Sequence, residues 1–285
     1  MKSAQELFEM LLDLSFAEDI GDGDHTTLST IPADVQGEAR LLVKEEGILS
    51  GVKRGIAVLK KLDPSIEVEV LVGDGAHVRP GDVAFIARGP QRSLLTAERT
   101  MLNIMQRMSG IATVTARYQK ELEGTKARVL DTRKTTPGMR ILEKEAVACG
   151  GGANHRMGLY DMILIKDNHI DFAGGIEKAI DRARAYCKEC DKDLKIEVET
   201  RSLDDVRRVL EHGGADRVMF DNFTPELTRR AVDLVAGRLE TESSGGITLD
   251  NIRHYGLAGV DFVSVGAITH SVKGLDLSFK AIKKD

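Results

Sequence analysis

The sequence has few cysteines, no excess of positive charge and no long hydrophobic run. Only three of its 285 residues are cysteines, and an odd, sparse count does not support a disulfide framework. The net charge is −5, whereas nucleic-acid-binding domains are usually basic. No apolar run approaches the roughly 20 residues that span a bilayer, and Glu6 and Glu9 interrupt the N-terminal apolar segment where a signal peptide would lie. We therefore expect a cytoplasmic protein with no nucleic-acid and no membrane partner.

Two motifs look like metal sites but do not fit one. Cys187 and Cys190 form a C-x-x-C pair, yet three cysteines cannot supply four thiolates, and the segment is predicted to be helical without a redox-fold context. Packing or surface positions on a helix explain both cysteines. The loop Asp19–His25 resembles a calcium loop, but its spacing fails and no glutamate follows at the twelfth position. We assign no role to this loop.

The N-terminal part of the chain mixes a helix with short alternating strands. Ser3 and Glu6 form a capping box that predicts a helix start. Apolar residues recurring from Leu94 to Ile111 predict a long helix, kinked or divided at Ser109–Gly110. The predicted strands are Ala39–Lys44, Glu67–Val72 and Val83–Ala87.

From about residue 125 the pattern changes to six repeats of an apolar strand followed by an amphipathic helix. Such alternation predicts a parallel sheet with right-handed crossovers. We expect a closed or nearly closed α/β barrel of six strands, with an open doubly wound sheet as the alternative. The predicted strands are Arg128–Leu130, Met162–Ile165, Lys195–Val198, Arg217–Phe220, Arg238–Glu240 and Asp261–Val265. The predicted helices are Met139–Ala148, Ile176–Lys188, Leu203–His212, Pro225–Ala236 and Leu249–Tyr255.

Every predicted strand of this second half is followed by charged, polar or glycine residues. Parallel strands of a barrel end at one rim, where active sites of such barrels lie. Any one of these residues could be an ordinary solvated loop residue, but six such strand ends together indicate a functional site. The residues at the strand ends are Asp131–Lys134, Lys166–His169, Glu199, Asp221–Asn222, Ser243–Gly246 and Gly266–Ala267.

The charges at this rim predict the kind of ligand. Arginine matches carboxylates bidentately and lysine neutralises phosphates, so a cationic cluster in an acidic protein predicts a polyanionic ligand. Two carboxylates beside that cluster suit ribose hydroxyls or a divalent cation such as Mg²⁺. The cationic residues are Arg133, Lys134, Arg156 and Lys166, and the carboxylates are Glu199 and Asp221.

Glycine-rich segments at the same rim predict phosphate contacts and a turn that directs side chains toward the pocket. We expect backbone N–H groups of the glycine turns Ser244–Gly246 and Gly266–Ala267, at helix starts, to hold a phosphate. The segment Gly150–Arg156 does not follow a strand as a dinucleotide-binding motif does. Its expected role is to turn the chain and direct His155 and Arg156 toward the pocket.

Nine motifs, in order along nearly the whole chain, resemble those of quinolinate phosphoribosyltransferases. They are Glu18–Asp24, Glu98–Asn103, Ser109–Thr113, Asp131–Gly138, Cys149–Arg156, Leu164–His169, Phe220–Phe223, Ser244–Thr248 and Ser264–Ala267. Asp22 and His25 depart from residues common in relatives. A related subgroup linked to molybdenum transport loses parts of the Arg-Lys-Thr and His-Arg regions, whereas this chain keeps Arg133–Lys134 and Lys166–His169.

The resemblance implies two domains and a shared active site. Residues 1–108 would form an N-terminal α/β sandwich, on which the tail 275–285 could pack, and residues 109–274 the six-stranded barrel. A homodimer, or a larger assembly, would complete each site with Arg99 of the partner subunit. Quinolinate and phosphoribosyl pyrophosphate (PRPP) are the implied substrates and Mg²⁺ the implied cofactor.

The resemblance also implies a role for each predicted site residue. The quinolinate contacts would be Arg99, Arg133, His155 and Arg156. The implied catalytic residues, which would also contact PRPP, are Lys134, Lys166, Glu199 and Asp221, and Glu199 and Asp221 would hold the metal directly or indirectly. The phosphate contacts would be Ser244, Gly245, Gly246, Gly266 and Ala267.

The implied reaction gives nicotinate mononucleotide, pyrophosphate and CO2 in de novo NAD synthesis. One alternative is a phosphoribosyltransferase of the same fold that acts on another pyridine or anionic base. A second is a non-catalytic barrel that binds phosphosugars, against which the pair Glu199 and Asp221 beside lysines argues.

Overall fold

The structure is a computed structural model and describes residues 2–282. The helices are α1 (Ala4–Asp19), α2 (His25–Thr30), α3 (Val52–Leu62), α4 (Gln91–Glu121), α5 (Arg140–Cys149), α6 (Asp167–Ala173), α7 (Ile176–Glu189), α8 (Leu203–His212), α9 (Pro225–Val235), α10 (Ile252–Ala258) and α11 (Ala267–His270). The strands are β1 (Gln36–Val43), β2 (Gly47–Ile48), β3 (Glu67–Val70), β4 (His77–Val78), β5 (Val83–Pro90), β6 (Arg128–Leu130), β7 (Ile163–Ile165), β8 (Ile196–Thr200), β9 (Arg217–Asp221), β10 (Glu240–Ser244), β11 (Phe262–Ser264) and β12 (Leu277–Ala281).

The chain divides into two compact units. The first comprises the chain up to Ala116, Thr135–Gly151 and the chain from Thr269 onward, and the second comprises Arg117–Lys134 and Gly152–Ile268. The domain boundary at residue 108 stays a prediction. In the part of the chain that the structure describes, no helix combines the length and the apolar character that a membrane span requires.

The first unit contains an antiparallel sheet of four strands in the order β12-β1-β5-β3. Leu41 of β1 lies opposite Phe85 of β5 on one side and Phe279 of β12 on the other, and all three side chains are buried. The tail therefore reaches this sheet through β12; the last three residues of the predicted tail, 283–285, lie outside the described residues.

Two helices of the first unit follow from local sequence signals. The side-chain oxygen of Ser3 accepts the N–H of Glu6 while Glu6 accepts the N–H of Ser3, so the predicted capping box is confirmed. Helix α4 runs unbroken through Ser109–Gly110, so the predicted division there is wrong. A Cβ on Gly110 would lie 2.2 Å from the backbone oxygen of Lys273, so this glycine is needed for close packing and does not break the helix.

The second unit contains six parallel strands in the order β6-β11-β10-β9-β8-β7. This mixed α/β fold, a small sheet domain followed by a six-stranded parallel sheet, confirms the predicted fold class. The core between β7, β8 and the helices α7 and α8 consists of apolar side chains. It includes Ile165, Ile176, Ile180, Ile196, Val198 and Val209. On the side of β6 that does not pair with β11, Leu130 forms an isolated parallel bridge with Ala153.

The largest differences from the sequence prediction in the second unit are two displaced element starts and one missed helix. Strand β10 begins at Glu240, because Arg238 still caps α9 through hydrogen bonds to the carbonyls of Leu234 and Val235. Helix α10 begins at Ile252, three residues late, because the preceding turn is closed by the side chain of Asn251 on the N–H of Thr248. The short helix α6 was not predicted.

Candidate active site

The carboxyl ends of the six parallel strands place most of the predicted site residues at one edge of the second unit. Asp131–Lys134 follows β6, and Lys166 directly precedes α6. The remaining residues lie in or just after the other four strands: Glu199 in β8, Asp221 at the end of β9, Ser244 at the end of β10 and Gly266–Ala267 after β11. Because parallel strands end at the same edge, side chains far apart in sequence become neighbours here.

Two carboxylates and a lysine form the acidic part of this edge. The side chain of Glu199 is only 11% exposed, and its Oε2 lies 3.9 Å from Nζ of Lys166. Burial raises the pKa of Glu199, the charge of Asp221 raises it further, and Lys166 acts in the opposite direction. Two carboxylates that repel each other are a donor set that a divalent cation would stabilise, so this pair fits Mg²⁺.

The turn after β9 holds Asp221 against the turn after β10. Nδ2 of Asn222 donates to Oδ2 of Asp221 at 2.8 Å, and the backbone N–H of Asn222 donates to the carbonyl of Ser244 at 2.8 Å. Asn222 has φ +57°, a left-handed conformation in which asparagine is better tolerated than most residues. A Cβ on Gly245 would lie 2.2 Å from Oδ1 of Asn222, so only glycine fits there.

The glycine turn is separate from the helix that follows it. Gly245 and Gly246 both have positive φ, and the carbonyl of Gly246 accepts Nδ2 of Asn251 at 3.1 Å. Helix α10 begins only at Ile252. A phosphate at Ser244–Gly246 would therefore meet backbone N–H groups of the turn itself, not those of a helix start.

Two arginines form the cationic part of the edge. Arg156 is partly buried, and its Nη1 donates to the carbonyl of Met162 at 3.1 Å. Burial lowers the pKa of its guanidinium, and the charge of Arg133 lowers it further. Arg133 and Lys134 are exposed. Two like charges that act on each other define a site for an anion, because an anion between them removes their repulsion.

The imidazole of His155 points toward the inside of the second unit. Its Nδ1 accepts the backbone N–H of Arg156 at 2.7 Å, and the backbone N–H of His155 donates to Oδ1 of Asp131 at 2.9 Å. Its Nε2 lies 2.9 Å from Oε2 of Glu197 and 3.5 Å from Oε2 of Glu242. Both ring nitrogens are thus engaged within the protein.

Burial dominates the acid–base properties of these two glutamates. It raises the pKa of Glu197 to about 7, against the opposing charge of Arg217. It raises the pKa of Glu242 to about 8, and the charge of Glu197 adds to that shift. Nη1 of Arg217 donates to Oε2 of Glu242 at 3.2 Å, which limits the charge left unbalanced.

Comparison with known proteins relates this chain to one family. Sequence models of the N-terminal and C-terminal domains of quinolinate phosphoribosyl transferase match residues 24–109 and 111–280. The chain belongs to the quinolinate phosphoribosyltransferase family. It is 44% identical over 285 residues to the chloroplastic nicotinate-nucleotide pyrophosphorylase [carboxylating] of Arabidopsis thaliana, covering 95% of this chain and 81% of that protein.

Two bacterial members of the family are similar over almost their full length. The probable nicotinate-nucleotide pyrophosphorylase [carboxylating] of Bacillus subtilis is 42% identical over 271 residues, covering 94% of this chain and 91% of that protein. The crystal structure of NadC from Streptococcus pyogenes superposes with a TM-score of 0.93 at 37% identity, and each chain is covered completely.

One predicted site residue lies in a different unit from the others. Arg99 lies exposed on α4 in the first unit, whereas the remaining predicted site residues lie in the second. The ligand contacts and catalytic roles assigned to all of them stay predictions. For His155, the structure gives both ring nitrogens partners inside the protein.

Three residues near the site were not singled out from the sequence. Glu197 and Arg217 lie in strands predicted from apolar runs, and a charged residue in such a strand was the available signal. Asn222 was noted only as a strand-end residue; the tolerance of asparagine for a left-handed backbone was the available signal. Cys187 is buried on α7 and Cys190 is exposed at its end, consistent with packing and surface positions.

Proposed function

We propose that this protein transfers the phosphoribosyl group of PRPP to the ring nitrogen of quinolinate and releases CO2, giving nicotinate mononucleotide and pyrophosphate for de novo NAD synthesis. The proposal rests on two groups of like charge at the strand ends of a chain from this family. The guanidinium groups of Arg133 and Arg156 repel each other, and so do the carboxylates of Glu199 and Asp221.

The arginines are suited to the acidic substrate. Quinolinate is a dianion at neutral pH, and guanidinium groups bind carboxylates through two parallel hydrogen bonds. Arg133 and Arg156 bind its two carboxylates and orient the ring nitrogen toward the sugar, with His155 beside them. Arg99 of a partner subunit completes this set in a homodimer or larger assembly.

The carboxylates and lysines are suited to the phosphoribosyl donor. As pyrophosphate leaves, positive charge grows on the sugar, and Glu199 and Asp221 stabilise it directly or through the ribose hydroxyls. Lys134 and Lys166 neutralise the negative charge of the leaving group. Backbone N–H groups at Ser244–Gly246 and Gly266–Ala267 hold the 5′-phosphate end. Positioning and electrostatics supply the catalysis, without a covalent protein intermediate.

Mg²⁺ is the proposed cofactor, held by Glu199 and Asp221 either directly or through the ribose hydroxyls. When bound, it supplies positive charge against the pyrophosphate oxygens. The pyridinium nitrogen formed by the transfer then stabilises the electron pair left on the adjacent ring carbon when its carboxylate leaves as CO2, and a proton from water takes the place of the carboxylate. A cytoplasmic location remains part of the proposal; the relative from Arabidopsis thaliana is named as chloroplastic.

A substrate panel tests the proposal. Quinolinate, nicotinate and nicotinamide are each incubated with PRPP, with and without Mg²⁺, and mononucleotide formation is followed by chromatography. We expect product from quinolinate only, and only with Mg²⁺. Product from nicotinate with none from quinolinate would favour a phosphoribosyltransferase for another pyridine. PRPP binding without any product would favour a non-catalytic phosphosugar-binding protein.

A further inference from the structure

A pair of fully buried glutamates lies next to His155. The side chains of Glu197 on β8 and Glu242 on β10 are 0% exposed. Within residues 2–282, both side-chain oxygens of Glu197 and Oε1 of Glu242 lack a hydrogen-bond partner of good geometry, although Oε2 of Glu197 lies in ion-pair contact with His155. Neither is among the ligand-binding or catalytic residues proposed above. Burying an anion costs several kcal/mol unless nearby charges and hydrogen bonds compensate, so an enzyme core that carries two such groups requires a physical reason.

The hydrogen bonding of His155 links this pair to the substrate edge. Because Nδ1 accepts the N–H of Arg156, the proton of a neutral imidazole must be on Nε2. Nε2 faces Oε2 of Glu197 at 2.9 Å, with Oε2 of Glu242 at 3.5 Å. A carboxylate oxygen at that distance favours the tautomer with the proton on Nε2 and the ring orientation that turns Nε2 toward Glu197.

The plane of the ring in turn affects Arg156. The same imidazole holds the backbone N–H of Arg156, and the backbone N–H of His155 is held by Asp131, which is fully buried. If Nδ1 carried the proton, it would point at the N–H of Arg156 and push that backbone away. Glu197 therefore affects the direction in which the side chain of Arg156 extends from the backbone.

A cation already accompanies the pair. Nη1 of Arg217 lies 3.2 Å from Oε2 of Glu242, and Nη2 of Arg217 lies 3.1 Å from Oε2 of Glu240. The ligand atoms of His155, Glu197 and Glu242 also lie within 4.8 Å of one another, a spacing that could hold a metal ion. A guanidinium in contact with one carboxylate and a proton on Nε2 together favour hydrogen bonding over metal ligation.

We propose that Glu197, supported by Glu242 and Arg217, is a positioning residue that holds His155 in a single tautomer and thereby aligns Arg156 for the acidic substrate. The claim rests on the proposed function, because quinolinate is the ligand that Arg156 is taken to bind. Glu197 acts through His155 and does not itself contact the ligand.

Two substitutions of similar volume separate an acceptor role from a packing role. Glu197→Met removes the oxygen that faces Nε2, whereas Glu197→Gln keeps one. We expect Glu197→Met to raise the KM for quinolinate on the order of tenfold, the usual size of effect when one orienting polar contact is lost. The KM for PRPP should stay close to the wild-type value, and Glu197→Gln should restore the quinolinate KM.

Stability and coupling give readouts that a structural role would not match. Glu197 and Glu242 repel each other, and Arg217 keeps Glu240 and Glu242 as partners when Glu197 is replaced, so Glu197→Met should unfold no more easily than the wild type. In a His155→Phe background the effect of Glu197→Met on quinolinate should disappear, because the two residues act in one chain of contacts. Glu240→Met is the matched control: it removes another partner of Arg217, and the ion pairs of Glu240 in the described structure are with Arg217 and Lys195.

Three results would overturn the inference. One is an equal rise of the KM for quinolinate and for PRPP in Glu197→Met, together with a lower melting temperature. Another is a Glu197→Gln variant as impaired as Glu197→Met. The third is one equivalent of Zn²⁺ bound by the wild type in equilibrium dialysis and lost in Glu197→Met, which would make the cluster a metal site. Quinolinate affinities measured by calorimetry distinguish failure of this inference from failure of the proposed function. A wild type that binds quinolinate without turnover contradicts only the proposed reaction.

Discussion

The arginines at the strand ends matter individually because the charge of Arg133 acts on that of Arg156, against the opposing charges of Glu197 and Asp161. Arg156 is partly buried, and the charge of Arg133 lowers its pKa, so the two guanidinium groups repel each other. A dianionic ligand relieves that repulsion and fills their hydrogen-bonding capacity at once. Loss of one arginine should therefore weaken ligand binding much more than it affects folding.

Replacing Arg133 with alanine tests this at a single residue. We expect Arg133→Ala to raise the quinolinate Kd roughly 30- to 100-fold, as for loss of one charge-assisted pair, with the melting temperature unchanged. Titration calorimetry gives the Kd. Arg207→Ala, which removes an exposed arginine of α8, is the control and should bind quinolinate as the wild type does. Undiminished affinity in Arg133→Ala would remove this residue from the quinolinate site.

At the residue scale, the sequence predicted which charges lie at the strand ends but not how they are held. Glu199 and Asp221 could be placed because each follows an apolar run, and parallel strands share one edge. The inward direction of the imidazole of His155 could not be predicted, because it depends on Glu197 and Glu242, which lie 42 and 87 residues further along the chain.

At the scale of elements, the hydrophobic period located nearly every strand and helix of the second unit. The errors arise where side chains cap an element. The hydrogen bonds of Arg238 to the end of α9 delay β10, and Asn251 closes the turn before α10. At Ser109–Gly110 a glycine suggested a break, whereas the helix uses it for a close approach of the backbone at Lys273.

Gly110 provides a test at the element scale. Because a Cβ at this position would lie 2.2 Å from the carbonyl oxygen of Lys273, Gly110→Ala should lower the free energy of unfolding by about 1–3 kcal/mol or more. Gly73→Ala is the matched control, since a Cβ there meets no atom within 4 Å, and its effect should be small. Urea denaturation measures both. Equal stability of the two variants would mean that the α4 contact is not tight.

At the scale of the whole molecule, the buried glutamates make stability depend on pH. Burial raises the pKa of Glu242 from 4.5 to about 8, so between these values the folded state keeps a proton that the unfolded state has released. Its contribution to stability is complete below pH 4.5 and is lost as the pH rises through about 8. The free energy of unfolding of Glu242→Gln, relative to the wild type, should therefore increase with pH across this window.

Urea denaturation of both proteins at several pH values measures this difference. The contributions of other titrating groups to the free energy of unfolding cancel where the substitution leaves those groups unchanged. A difference between Glu242→Gln and the wild type that is constant from pH 5 to pH 8, or that falls with pH, would contradict the raised pKa of Glu242.

The proposed sharing of the active site between subunits can also be tested on the whole assembly. Arg99→Ala and Glu199→Gln should each be nearly inactive alone. If Arg99 serves the partner's site, refolding or exchanging equal amounts together should restore about a quarter of the wild-type activity, because half of the dimers are mixed and each of these has one intact site. Activity no higher than the average of the two separate variants would place both residues in the same subunit's site, or outside it.

The most direct test of the proposed reaction follows the fate of one carbon atom. Quinolinate labelled in the 2-carboxyl group, and separately in the 3-carboxyl group, is incubated with the protein and Mg²⁺, with and without PRPP. We expect labelled CO2 only from the 2-carboxyl substrate, only with PRPP, and in equal amount to nicotinate mononucleotide. Mononucleotide formation without CO2 release, or no turnover by a protein that binds both substrates, would contradict the proposed function.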